Sequence, residues 1–220
     1  MKKVFWLLIL TGALLLAGCG DKQTGGGEYR FLQGERITQA DIDYLREKGA
    51  AVNGEKIEDV SESLSLETVA CMRSMILEAA EQNVGISWDE ALKQAKEHYE
   101  TAETVAKSGE SVGTEPYEQA GYLEWLQDYM QRANMSLEEW YEYNAVTLQY
   151  VAAYQGLEEQ LVAGMPPEQQ DNLVAQGTAW LAYQIELIEK YQDQLVEEDL
   201  QAQLAEVLAQ MQYRLQNMQK

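Results

Sequence analysis

Three times the chain writes the same helix-start signal. Thr38 is followed three residues later by Asp41, Ser87 by Glu90 and Ser136 by Glu139. In each, the hydroxyl can accept from the backbone N–H three residues on, while the carboxylate returns a bond to the first N–H. Ile37 with Ile42, and Met135 with Trp140, stand at the positions where a hydrophobic staple fixes the angle of entry. Behind each signal apolar residues recur at three and four residues, and the whole chain of 220 residues has only three prolines to interrupt them. The expected fold class is therefore mainly α, a body of several packed helices.

The first helix is predicted from Thr38 to about Lys48, with Gly49 as its stop. Leu32–Ile37 (LQGERI) and Val52–Ile57 (VNGEKI) share a pattern, and Asn53-Gly54 is a tight-turn signal. A short hairpin within residues 31–57 is the most β structure that this allows. From about Ser65 a helix carries Val69, Met72, Ile76 and Ala79 on one face and closes by Gly85. Ser87 opens an amphipathic helix through Trp88, Ala91, Ala95, His98, Ala102 and Val105. A loop over Lys107–Pro116 precedes a helix over Tyr117–Ala133, and Ser136 opens another to about Val162. Gly164 to Pro167 breaks the pattern, with Pro167 suited to the first turn of the next helix. Long helices follow at Leu173–Leu195 and Leu200–Met218. The last has a narrow apolar seam at 200, 204, 207, 208, 211, 215 and 218, for a partner helix within the chain or on a second copy. The expected organisation is a helical core over 31–163 with C-terminal helices over 167–220.

The first eighteen residues read as an address. Lys2 and Lys3 form a basic start, and Val4–Leu16 is a mostly apolar run, short for a bilayer span but suited to a signal peptide. It ends Leu16-Ala17-Gly18-Cys19, which looks like a bacterial lipobox. That resemblance implies cleavage before Cys19 and a diacylglyceryl group on its thiol. Two acyl chains give stable anchoring, whereas one binds membranes only marginally. Residues 19–30 then read as a lipid-anchored tether, glycine-rich and flexible. The implied location is the extracytoplasmic face of a bacterial membrane.

Charge excludes one class of partner. Lys and Arg number 16 against 37 Asp and Glu, a formal charge of −21, and phosphate binding needs the opposite balance, so no nucleic-acid partner is expected. With Cys19 lipidated, Cys71 is left alone and no internal disulfide can form. It stands in an apolar stretch beside Met72 and Met75, which favours a buried thiol over a reactive one.

Motifs for catalysis are weak. Gly109-Glu110-Ser111-Val112-Gly113 matches a nucleophile elbow, but that motif needs a strand before it and a histidine after it. Here a helix precedes it, and the single histidine, His98, comes earlier. One histidine builds no zinc or di-iron site of the usual kinds. Asp41-Ile42-Asp43 opens like a calcium loop but lacks its later glycine and glutamate. Asn134-Met135-Ser136 has a glycosylation pattern, yet Ser136 is better used as a helix cap. No catalytic residue, metal ligand or cofactor is expected beyond the lipid on Cys19, and the chain is not expected to be an enzyme.

Aromatic residues crowd residues 117–154. Tyr122, Trp125 and Tyr129 share a helical face, as do Tyr143, Tyr150 and Tyr154 approximately, with Trp140 and soft Met130 beside them. Two readings stand: plain core packing, or a groove for exposed polypeptide, for which Tyr and Trp are suited. Under the second, those eight residues are the candidate polypeptide-binding set.

Three motifs in order resemble a family. Gln33-Gly34-Glu35-Arg36-Ile37-Thr38-Gln39-Ala40-Asp41-Ile42 resembles the opening of the SurA/PrsA-type chaperone domain. Met75 to Ala91 resembles its helix, glycine turn and next helix start, and Met135-Ser136-Leu137-Glu138-Glu139-Trp140 its later helix start. The resemblance covers about residues 31–163 and implies a membrane-anchored holdase or foldase that cradles unfolded or secreted polypeptides without ATP. Members often carry a parvulin prolyl-isomerase domain. After Ala163 this chain has only helical patterns, so isomerase activity is not carried over. The alternative is a structural or adaptor lipoprotein that binds one envelope partner, or a second copy, through an exposed seam at Leu200–Met218.

Overall fold

The computed structural model of the protein describes residues 36–219. The signal segment, Cys19, the tether and Leu32–Glu35 lie outside that range. Seven helices make up the described chain: α1 (Gln39–Asn53), α2 (Glu62–Glu81), α3 (Trp88–Ser108), α4 (Tyr122–Ala133), α5 (Leu137–Gly164), α6 (Leu173–Leu195) and α7 (Gln201–Met218). Short 3-10 turns stand at Ile57–Asp59, Pro116–Glu118 and Glu198–Leu200. The mainly-α expectation holds, and among the described residues there is no strand.

The start signals form as written. Thr38 N donates to Asp41 Oδ2 at 2.7 Å and Asp41 N to Thr38 Oγ1 at 3.2 Å. Ser136 N donates to Glu139 Oε2 at 2.5 Å and Glu139 N to Ser136 Oγ at 3.2 Å. At Ser87 only the outward half forms: Glu90 N donates to Ser87 Oγ, while the Glu90 carboxylate takes the Gln94 amide one turn on.

The part of the expected hairpin within the described residues is absent. α1 runs through Gly49 to Asn53, because Lys48, Gly49 and Ala50 are all buried and packing outweighs the roughly 1 kcal/mol a helical glycine costs. The stop is Gly54, at φ +69°, with Glu55 N donating back to Ala50 O at 2.9 Å, the six-to-one bond of a Schellman turn. The other segment's Ile37 pairs elsewhere, in a lone parallel bridge to Val196: Ile37 N donates to Leu195 O and Glu197 N to Ile37 O.

Other boundaries shift for local reasons. α2 starts three residues before its expected start and α4 five residues after. Ser61 accepts from Leu64 N at the head of α2, and the 3-10 turn takes up Pro116–Glu118 ahead of α4. Pro167 stands in a turn, not in a helix. α6 is capped instead by Asn172, whose side chain accepts from Val174 N and Ala175 N.

The chain divides into two compact units. Of the described residues, one holds Asp43–Val60 and Ser87–Leu148; the other holds 36–42, Ser61–Ile86 and 149–219. In the first unit α3 buries Ala91, Ala95, Ala102 and Val105 and packs against α4. In the second, α2, α6 and α7 pack on one another in all three pairings. Leu66, Met75, Leu157, Ile188, Leu195, Leu204 and Met211 are closed inside it. Cys71 is buried there too, and burial pushes its thiol up to about 12.

The seam of the last helix faces inward. Leu200, Leu204, Val207, Leu208 and Met211 are buried, and only its end, Met218, is exposed.

Candidate functional site

The eight candidate residues fall into two groups. Tyr122, Trp125, Tyr129, Met130, Trp140 and Tyr143 belong to the first unit, and Tyr150 and Tyr154 to the second.

The first group is built by one helix, one turn and the next helix start. Spacings of three and four put Tyr122, Trp125 and Tyr129 on a single face of α4, with neighbouring ring centroids 5.5 Å apart at both steps. α4 then ends sharply. Asn134 takes the left-handed conformation at φ +49°, which asparagine tolerates better than most side chains, and Met135 N donates back to Met130 O. Lys48 Nζ donates to Ala133 O at 2.7 Å, a buried cation on the negative end of the helix. The Ser136 box starts α5 at once and brings Trp140 edge-on to Tyr129, at 5.9 Å and 70°, with Tyr143 at 5.7 Å beyond it.

The result is a ladder of five rings that runs from core to surface. Tyr129 is 1% exposed and Trp140 6%, whereas Trp125 is 39% exposed. Tyr122, Met130 and Tyr143 are half-buried against the same cluster. The staple pair Met135 and Trp140 lies within it. Tyr129 and Trp140 are thus core residues, whereas Trp125 is exposed and Tyr122, Met130 and Tyr143 are half-buried. Glu124 and Asp128 stand exposed on either side of Trp125, Asp128 pairing with Arg132 at 2.8 Å.

The phenols are set against ionisation. Burial pushes Tyr122 up to about 12, and it raises Tyr129 and Tyr143 further. At neutral pH these hydroxyls stay protonated, and what Tyr122 and Tyr143 leave uncovered is neutral ring.

The second group sits on α5 and α6. Tyr150 and Tyr154 lie 6.4 Å apart, and Trp180 packs edge-on to Tyr154 at 4.6 Å, with Tyr183 following at 5.8 Å. Tyr154 is buried and donates to Glu158 Oε1 at 2.8 Å. Trp180 and Tyr183 were not among the expected residues. Their spacing of three on α6 was the available signal, but only the fold brings them to Tyr154.

The rejected motifs have ordinary places. Gly109 ends α3 at φ +74°, and Ser111 Oγ accepts from Ala120 N within the loop. His98 stacks on Tyr117 at 3.8 Å and 10° between ring planes, and burial lowers its pKa. Asp41 is the cap partner of Thr38. Among the described residues no three metal-ligating side chains come together, and no helix is long and apolar enough to cross a membrane. No known protein family, curated protein or solved structure matches this chain.

Proposed function

We propose that this chain is a membrane-anchored extracytoplasmic lipoprotein with chaperone-like action. It would hold unfolded or secreted polypeptides without ATP and without a prolyl-isomerase centre. The observation that carries the reading is the aromatic ladder that surfaces at Trp125, with half-buried Tyr122, Met130 and Tyr143 around it. Large rings and a soft thioether accept many apolar side chains with little geometric demand, which is what a client-tolerant surface needs. The flanking carboxylates of Glu124 and Asp128 favour clients with basic residues and disfavour acidic ones. The resemblance of the three ordered motifs to the SurA/PrsA-type domain supports the same reading. Anchoring through Cys19 would keep this surface at the membrane where secreted chains emerge.

The adaptor alternative rested on an exposed seam at Leu200–Met218. That seam packs inside the second unit, so this reading loses the surface it relied on.

The test is suppression of aggregation. A soluble form that begins after Cys19 is added, without ATP, to a denatured client as it is diluted into buffer, and light scattering is followed. The expected result is stoichiometric suppression, stronger for basic clients, and no acceleration of proline isomerisation in a peptide. No suppression across several clients, basic ones included, would overturn the proposal.

A further inference from the structure

α7 departs from the charge of the rest of the chain. Against an overall −21, Gln201–Met218 has one carboxylate, Glu206, and one cation, Arg214. Its inner face is taken up by the core, and its outer face is mostly alanine and glutamine around Tyr213, which is 67% exposed. Leu64 on α2 is 54% exposed, and a groove of about 660 Å³ is lined by both of these side chains. The same groove holds an ion pair between Arg214 and Glu67 at 2.6 Å and a hydrogen bond from Ser63 Oγ to Gln210 Oε1 at 3.4 Å.

Charge and spacing together select the occupant. Two copies of an acidic chain repel wherever their carboxylates face one another, and α7 has a single carboxylate to contribute. Glu206 and Arg214 stand four residues to either side of Gln210, on one helical flank. Antiparallel pairing of two α7 helices about a two-fold axis at Gln210 sets Glu206 of each copy opposite Arg214 of the other. Parallel pairing would set like charge against like. Glu206 forms no ion pair among the described residues, and a guanidinium has five donors, so Arg214 can keep Glu67 and accept a second carboxylate. A self-complementary patch of this kind is what a two-fold interface requires.

We infer that the outer face of α7 is a homodimer interface, antiparallel about Gln210, with Tyr213 and Leu64 as its apolar anchors. This goes beyond the proposed chaperone action and does not depend on it.

The test uses the full chain in mild detergent, with Cys19→Ser so that buried Cys71 is the only native thiol. Sedimentation should show a dimer, and Gln210→Glu, which sets two carboxylates against each other on the axis, should weaken it about tenfold or more with helicity unchanged. Gln210→Cys should cross-link to itself under mild oxidation. Gln203→Cys and Asn217→Cys should each cross-link poorly alone and to one another when mixed. A monomer at all concentrations up to about 100 μM would overturn the inference. So would a dimer that is insensitive to Gln210→Glu and does not cross-link through residue 210.

Discussion

The two units bury different kinds of side chain. In the second, α2, α6 and α7 close Leu, Ile and Met against one another: Leu66, Met75, Ile188 and Leu204 are all at most 1% exposed, while Leu64, Leu173 and Val174 stand exposed at the surface. In the first, α3 offers alanine at 91, 95 and 102, and the bulk comes from rings on α4 and the start of α5. α4 is a short helix of 12 residues, and it does not enclose all five rings. The ladder therefore has fully buried Tyr129 at its middle and reaches solvent at the next rung, Trp125. Both units leave apolar side chains at the surface, but in the first unit the exposed ring of Trp125 is packed directly on the core, next to buried Tyr129. Six of the eight candidate residues, Trp125 among them, belong to this first unit.

The sharpest way to break this contrast is to cut each core. Leu204→Ala removes a fully buried aliphatic side chain and should cost about 3 kcal/mol in urea unfolding, within the usual 2–5. A cost under about 1 kcal/mol would mean that the second unit is loosely packed. The opposite change probes the first unit: Ala95→Leu places a branched side chain on the buried alanine face and should cost about 1–3 kcal/mol. A neutral Ala95→Leu would mean that the buried alanine face of α3 has room to spare.

A polar contact in the second unit sharpens the contrast further. Glu78, buried on α2, accepts from Tyr191 Oη at 2.7 Å and Lys190 Nζ at 2.5 Å, both on α6. Burial alone would raise its carboxyl, but the bonds from Lys190, Tyr191 and Gln82 outweigh that and hold it below its ordinary value of 4.5. A carboxylate depressed in the folded state contributes stability that is fully present above its unfolded pKa and is lost as pH falls through the lower folded value. Glu78→Ala should cost about 2 kcal/mol at neutral pH, because it leaves the Tyr191 hydroxyl buried without its acceptor. It should also flatten the loss of stability below about pH 4.5. An unchanged acid limb in urea melts from pH 3 to 7 would contradict this assignment.

Smaller effects lie at the helix start beneath the ladder. Ser136→Ala deletes one half of the capping box and should cost about 1 kcal/mol by the same measurement. Trp125→Ala should change stability least, by about 0.5 kcal/mol or less, because its ring is the exposed one of the ladder.

What the sequence disclosed was local. The boxes at Thr38 and Ser136 were legible because all their partners lie within three residues, and the face shared by Tyr122, Trp125 and Tyr129 because helical spacing alone defines it. Gly49 misled because a stop signal is a propensity, and the burial of Lys48 to Ala50 overrode it. The six-residue likeness of Leu32–Ile37 and Val52–Ile57 suggested pairing, yet α1 takes in Val52 and Asn53, and Ile37 finds Val196 far along the chain. The seam of α7 was visible as a period, but a period names a face and not the partner that covers it. Trp180 beside Tyr154 and Lys48 on the end of α4 depend on contacts between distant segments, and no spacing announces them.

The central claim is that the exposed rung of the aromatic ladder, Trp125, binds clients while its buried rungs only hold the fold. It is tested most directly by light scattering of a diluted denatured client with Trp125→Ala and Trp140→Ala side by side, each checked for helicity and urea stability. The account predicts that Trp125→Ala keeps its stability and loses most of the suppression, whereas Trp140→Ala loses about 3 kcal/mol or more of stability. Full suppression by a stable Trp125→Ala protein would contradict it.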